Sequence, residues 1–134
     1  MKANSLALLA PALGSLLLAA PSLAHHAFSA EFDINKPLTL TGTVTKIEWQ
    51  NPHTWFYIDV TGQDGEVANW GLEMASPNLL MRAGWSRDSM QTGDVVTVEA
   101  FHAKNGKNIA NAKTVTLKAT GQVVFTGSRS GRAR

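Results

Sequence analysis

The sequence predicts a mainly β domain, a small barrel of five to six strands with one short helix after the third. Three observations carry this expectation. From Leu38 onward, Val, Thr and aromatic residues recur in short alternating runs, the period of a half-buried strand. Turn signals separate the runs at Asn51-Pro52, Gly62-Gln63-Asp64-Gly65 and Lys104-Asn105-Gly106-Lys107. A helix start follows the third run at Ser76-Pro77-Asn78.

In the first strand, Leu38, Leu40 and Val44 share one parity and Ile47 and Trp49 the other, with Gly42 among the earlier members. A change of parity inside one strand implies a β-bulge or sharp bend, for which glycine is suited, so this strand is expected to be long and curved. Asn51-Pro52 ends it, because proline cannot donate to the ladder and restricts the residue before it. The second strand, Thr54 to Thr61, alternates Phe56, Ile58 and Val60 against Trp55, Tyr57 and Asp59. After a hairpin turn the third runs from Glu66 to Met74. Ser76 can cap a helix and Pro77 suits its first position, where the missing N–H would be unpaired anyway; Gly84 stops it after about two turns. A second hairpin joins Asp94–Ala103 to Asn108–Leu117, and Gln122–Thr126 forms a short last strand. The order β-β-β-α-β-β with a bent first strand is that of an OB-like Greek-key barrel; a generic β-sandwich is the alternative.

Ahead of the domain, Lys2, the apolar stretch Leu6–Ala20 and Ser22-Leu23-Ala24 have the three parts of an export signal. Pro11 and Gly14 interrupt a stretch already short of the ~20 residues a spanning helix needs. The expected organisation is a cleaved signal peptide over 1–24, an extended arm over 25–37, the barrel over 38–126 and a disordered basic tail over 127–134. The mature protein would be periplasmic or secreted, without a membrane span. The chain has no cysteine, which excludes a disulfide scaffold and a thiolate metal site. Of its 12 Lys and Arg, Lys2, Arg129, Arg132 and Arg134 lie in the leader and tail. The eight that remain face 10 Asp and Glu, so the folded part is mildly acidic and nucleic acid is not expected as a partner.

Cleavage after Ala24 would make His25 the first residue, with its α-amine and imidazole able to chelate one transition metal. The other histidines are His26, His53 and His102. In the barrel His53 lies in the loop between strands one and two, and His102 near the loop between strands four and five, the two loops that flank the ligand face of this fold. Residues 25–37 span at most about 40 Å, enough for His25 to fold back to that end. A site of the His25 amine, its imidazole and His53 or His102 resembles the histidine brace of copper proteins. Cu(II) suits tetragonal nitrogen ligands, with zinc as second choice. The amine, whose ordinary pKa is about 8, must lose its proton to bind. Glu31, Asp33 and Glu73 are candidate axial or outer carboxylates.

A metal-free alternative places Trp55, Tyr57 and Trp70 on an exposed aromatic face for a small molecule, glycan or periplasmic protein partner. Against it, Trp49, Trp70 and Trp85 can fill the barrel ends and the helix–barrel junction. A histidine-brace oxygenase is a third class and needs an open coordination position. No catalytic constellation is visible: there is no Gly-rich phosphate loop, and Ser76 and Ser86 have no histidine placed by a local motif.

Four segments carry a family resemblance: His-His-Ala-Phe-Ser-Ala-Glu-Phe-Asp at 25–33, Leu-Thr-Gly-Thr-Val-Thr-Lys-Ile-Glu-Trp-Gln-Asn-Pro-His at 40–53, Asn-Trp-Gly-Leu-Glu-Met-Ala-Ser-Pro-Asn-Leu-Leu at 69–80 and Gly-Trp-Ser-Arg-Asp-Ser at 84–89. The chain resembles the secreted bacterial proteins grouped as domain of unknown function 6152. That resemblance implies a small secreted β-domain and no particular chemistry. Lys118-Ala119-Thr120-Gly121 departs from the Pro-Asp-Gly type of turn expected there in the family.

Overall fold

The computed structural model describes residues 27–127. The export signal, His25, His26 and the arginine tail fall outside the described residues. A single helical turn, α1, occupies residues 27–31. Six strands and a second helix follow: β1 Phe32–Glu48, β2 Trp55–Thr61, β3 Val67–Glu73, α2 Pro77–Arg82, β4 Val95–Ala103, β5 Ile109–Leu117 and β6 Val123–Thr126. The sheet runs β3-β2-β1-β4-β5-β6, and β3 also pairs with β5. That parallel pairing, Gly71 to Glu73 against Ile109 to Asn111, closes the first five strands into a ring with the Greek-key order of the OB barrel. Among the described residues no helix is long and apolar enough to cross a membrane.

β1 makes closure possible by serving two neighbours in turn. Residues Phe32 to Thr43 pair with β4, and Thr43 to Glu48 pair with β2. The bulge inferred from the parity change lies between Val44 and Lys46, rather than at Gly42. Glycine at 42 has a different cause: a Cβ there would lie 2.4 Å from the Asp59 carbonyl oxygen, so only a residue without one lets β2 cross this closely.

Of the arm expected over 25–37, residues 27–31 form α1 and residues 32–37 the extended start of β1. Phe28 and Phe32, four residues apart, meet at 5.6 Å between ring centroids. Phe32 pairs with Ala103 and is buried; Phe28 packs edge-on against Phe101 at 5.9 Å. The Lys104 amide donates to the Glu31 carbonyl at 2.8 Å, and the Lys104 ammonium donates to the Ser29 carbonyl. These aromatic contacts and backbone bonds hold the segment on the outside of β4.

Alternation fills the barrel with Phe56, Ile58, Leu72, Val96, Val98 and Val115, all fully buried. α2 starts as its sequence dictates, with the Ser76 hydroxyl accepting from the Leu79 amide at 3.4 Å and Pro77 in the first turn. It buries Leu80 and leaves Leu79 and Met81 exposed. Beyond Gly84, Trp85 packs between Trp49 and Phe125 and donates its indole N–H to the Val124 carbonyl, which fastens β6 over the end of the core. Trp85 thus occupies the helix–barrel junction.

Candidate functional site

His53 is positioned by the chain that follows it. The Thr54 amide donates to the Ala75 carbonyl and the Met74 amide to the Thr54 carbonyl, each at 2.9 Å. These bonds tie the β1–β2 loop to the end of β3, where Trp55 pairs with Glu73. Glu73 in turn pairs with Asn111 across the parallel β3–β5 ladder. One carboxylate oxygen, Glu73 Oε1, lies 3.5 Å from His53 Nδ1 and accepts from Asn111 Nδ2 at 3.1 Å. The Glu73 side chain is 10% exposed and that of His53 46%, so a buried carboxylate meets an accessible imidazole.

Both face a cavity of about 430 Å³. Its apolar wall includes Phe28, Phe101 and Phe125, and its polar edge His53, Glu73 and Asn111. Ala27, at the start of α1, also lines it. His26 and His25 therefore precede a cavity wall by one and two residues. The sequence reading required a long arm to fold back to this end; α1 and β1 have already carried the chain there.

The donors present, an imidazole nitrogen and a carboxylate oxygen with no thiolate in the chain, suit Cu(II) or Zn(II). Among the described residues no group of three or more His, Asp or Glu converges as a metal site, so these two are a partial set. Of the carboxylates considered, Glu31 and Asp33 do not line the cavity; Asp33 accepts from the Asn35 amide at 2.9 Å.

His102 lies elsewhere. It pairs with Ala110, while its neighbour Phe101 pairs with Asn111, and successive strand residues point to opposite faces. Phe101 and Asn111 thus share the cavity side, whereas His102 stacks on Trp70 at 5.3 Å. His102 Nε2 donates to the Lys107 carbonyl at 2.9 Å. The structure brings His53 to the cavity and leaves His102 at another place on the barrel.

The aromatic face is also divided. Tyr57 pairs with Gly71, and a Cβ at 71 would lie 3.2 Å from the Tyr57 ring and 3.7 Å from Trp55, so Trp55 and Tyr57 lie on one face with glycine between them. Trp70, of opposite parity and opposite Ile58, is not part of that strip. Tyr57 donates to Glu48 Oε2 at 3.1 Å, Lys46 lies over its ring at 5.5 Å, and Lys46 and Glu48 form an ion pair.

Burial, then the Glu48 carboxylate, push the Tyr57 hydroxyl above its ordinary value. Hydrogen bonds from Lys46 and Tyr57 hold Glu48 below the usual carboxylate range. The chain has one tyrosine, so alkaline titration at its phenolate absorbance reads this residue alone. The midpoint should exceed that of a free tyrosine, about 10, and Glu48→Gln should lower it by removing the neighbouring negative charge. A Glu48→Gln midpoint equal to or above that of the parent would contradict this arrangement.

Asn111, Phe28 and Phe101 were not among the residues singled out from sequence. The spacing of Phe28 and Phe32 was a usable signal, since residues four apart meet on a helical turn. Asn111 offered none, because its role depends on the β3–β5 closure.

No curated protein matches the chain. Solved structures similar to it include the S. cerevisiae mitochondrial single-stranded DNA-binding protein Rim1, 15% identical over 65% of this chain and 94% of that one, with a TM-score of 0.49. A second structure of Rim1 is 14% identical over 64% and 93%, with a TM-score of 0.41. A ZRD-deleted mutant of TiaS in complex with agmatine is 20% identical over 72% of this chain and 23% of that one, with a TM-score of 0.44. The expectation that nucleic acid is not a partner is withdrawn: it rested on net charge, which describes the whole surface and does not exclude a ligand class from one face of it, and two of these similar structures are of a single-stranded DNA-binding protein. The family model of DUF6152 matches residues 14–112, most of the chain, and the protein is therefore a member of this family of unknown function.

Proposed function

We propose that this protein is a periplasmic or secreted OB-barrel protein that binds copper through a mature N-terminal His25 together with His53. One observation carries the reading: Ala27, two residues after His25, lines the same cavity as His53 and Glu73. Export and cleavage after Ala24 supply the free amine that chelation needs. Two residues span less than about 8 Å of chain, a short tether between a chelating His25 and the cavity that His53 lines. His26 has the same tether one residue nearer. A carrier of this kind exposes its metal at an accessible imidazole, consistent with uptake and delivery.

Calorimetric titration of the chain beginning at His25 with Cu(II) tests the choice of histidines. Loss of an outer partner typically lowers metal affinity by about 10–100-fold, so loss of a ligand in His53→Ala should lower it by about 100-fold or more. His102→Ala, remote from the cavity, should leave the affinity unchanged. Undiminished binding in His53→Ala, or a loss confined to His102→Ala, would overturn the assignment.

A further inference from the structure

We propose that the outer face of β1, β2 and β3 is a carbohydrate site, where Trp55 and Tyr57 stack on the C–H faces of a neutral β-1,4-linked oligosaccharide; this is independent of the copper reading. The chain has four tryptophans, and the barrel uses three of them. Trp85 is in the core, and Trp49 and Trp70 pack against it; among the described residues Trp55 is the one that does not. It pairs with Glu48 of β1 and Glu73 of β3, points to the opposite side of the sheet from Phe56, and is half-buried. A large ring held at the surface without a share in the core is the mark of a contact surface.

Gly71 shapes this face. Trp55 and Tyr57 are two residues apart, roughly 6.8 Å along the strand, and both rings reach the space where a side chain at 71 would start. A larger residue there would push the Tyr57 ring away; glycine lets both rings lie against β3 as adjacent apolar surfaces. A β-1,4-linked pyranose chain, whose equatorial linkages leave its axial C–H bonds on two flat faces, matches such a strip. Polar groups border the rings and are held in place. The Tyr57 hydroxyl donates to Glu48 Oε2 at 3.1 Å, and Asn69 Nδ2 donates to Asp59 Oδ1 at 2.8 Å and to Thr45 Oγ1 at 3.2 Å. A carboxylate offers about four acceptor positions, so Glu48 and Asp59 keep capacity for sugar hydroxyls. Lys46 lies over the Tyr57 ring and is paired with Glu48. Two carboxylates beside one paired ammonium favour a ligand that donates hydrogen bonds and carries no negative charge. Rings for C–H surfaces with fixed acceptors beside them are what a neutral pyranose requires.

The test is calorimetric titration of the protein, up to millimolar ligand, with cellohexaose and with hexa-N-acetylchitohexaose, both neutral and β-1,4-linked, and with an oligothymidylate as the competing class. Saturable binding of at least one sugar is expected, and Trp55→Ala should weaken it by about 30-fold or more, as loss of a central aromatic contact does. Amide ¹H–¹⁵N spectra of the parent protein locate the site even if that variant does not fold: bound sugar should shift residues 55–59 and 69–71 and the Trp55 indole N–H. Failure of both sugars to bind would overturn the proposal, as would undiminished binding in a folded Trp55→Ala or shifts confined to other parts of the barrel. Oligothymidylate binding at these amides in place of sugar would also overturn it, making the strip a surface for stacked bases.

Discussion

Replacing Phe56 by alanine is expected to destabilise the barrel by about 3–5 kcal/mol, the cost of deleting a buried aromatic ring and leaving a cavity that the surroundings only partly fill. Phe56 is 0% exposed. It pairs with Ile47 of β1 on one side and Leu72 of β3 on the other, so its ring lies in the core at the centre of three strands. The residues flanking it carry the site: Trp55 pairs with Glu73, and Thr54 bonds the loop bearing His53 to Ala75 and Met74. Loosening β2 therefore disturbs the His53–Glu73 spacing as well as the core. Each kcal/mol corresponds to about 4–8 °C in the melting temperature of a domain this size, so thermal and urea denaturation read the effect easily. A midpoint shift worth less than about 1 kcal/mol, at unchanged denaturant dependence, would contradict this account of the core.

The element order was legible because local chemistry and the fold agree. Ser76 and Pro77 start α2, Asn105-Gly106 turns the second hairpin, and the parity change between Val44 and Ile47 marks a real bulge. What local chemistry does not contain is which distant strand each residue meets. The β3–β5 pairing is parallel and non-local, yet it alone brings Asn111 to Glu73. The register shift between Glu99 and Ala100 leaves one extra residue, Lys113, in β5, and so decides that Asn111 comes opposite Phe101 on the cavity side and not opposite His102. Loop membership placed His53 and His102 near the same end of the barrel, but strand alternation separated their side chains.

The aromatic residues show the same division. Trp55 and Tyr57 alternate along one strand, and their common face followed from that period. Trp70 is on a neighbouring strand, and its face followed from pairing with Ile58, which the sequence does not state. In the N-terminal arm the helical turn over 27–31 goes with Phe28 and Phe32 packing against one another and Phe28 against Phe101, the last a contact with a strand some 70 residues away.

The central claim, a copper site that uses the terminal amine of His25, is tested most directly by adding one alanine before His25. The extra residue converts the His25 amine into a planar amide whose lone pair is delocalised and moves the free amine about 3.8 Å along the chain. The chelate of amine and imidazole on one residue is lost while every described contact of the barrel remains. The two proteins should be titrated with Cu(II) and compared by electron paramagnetic resonance. The account predicts one-to-one binding to the chain beginning at His25 and a loss of about 100-fold or more on adding the alanine, since a lost ligand costs more than a lost outer partner. Equal affinity and equal copper spectra for the two proteins would contradict it.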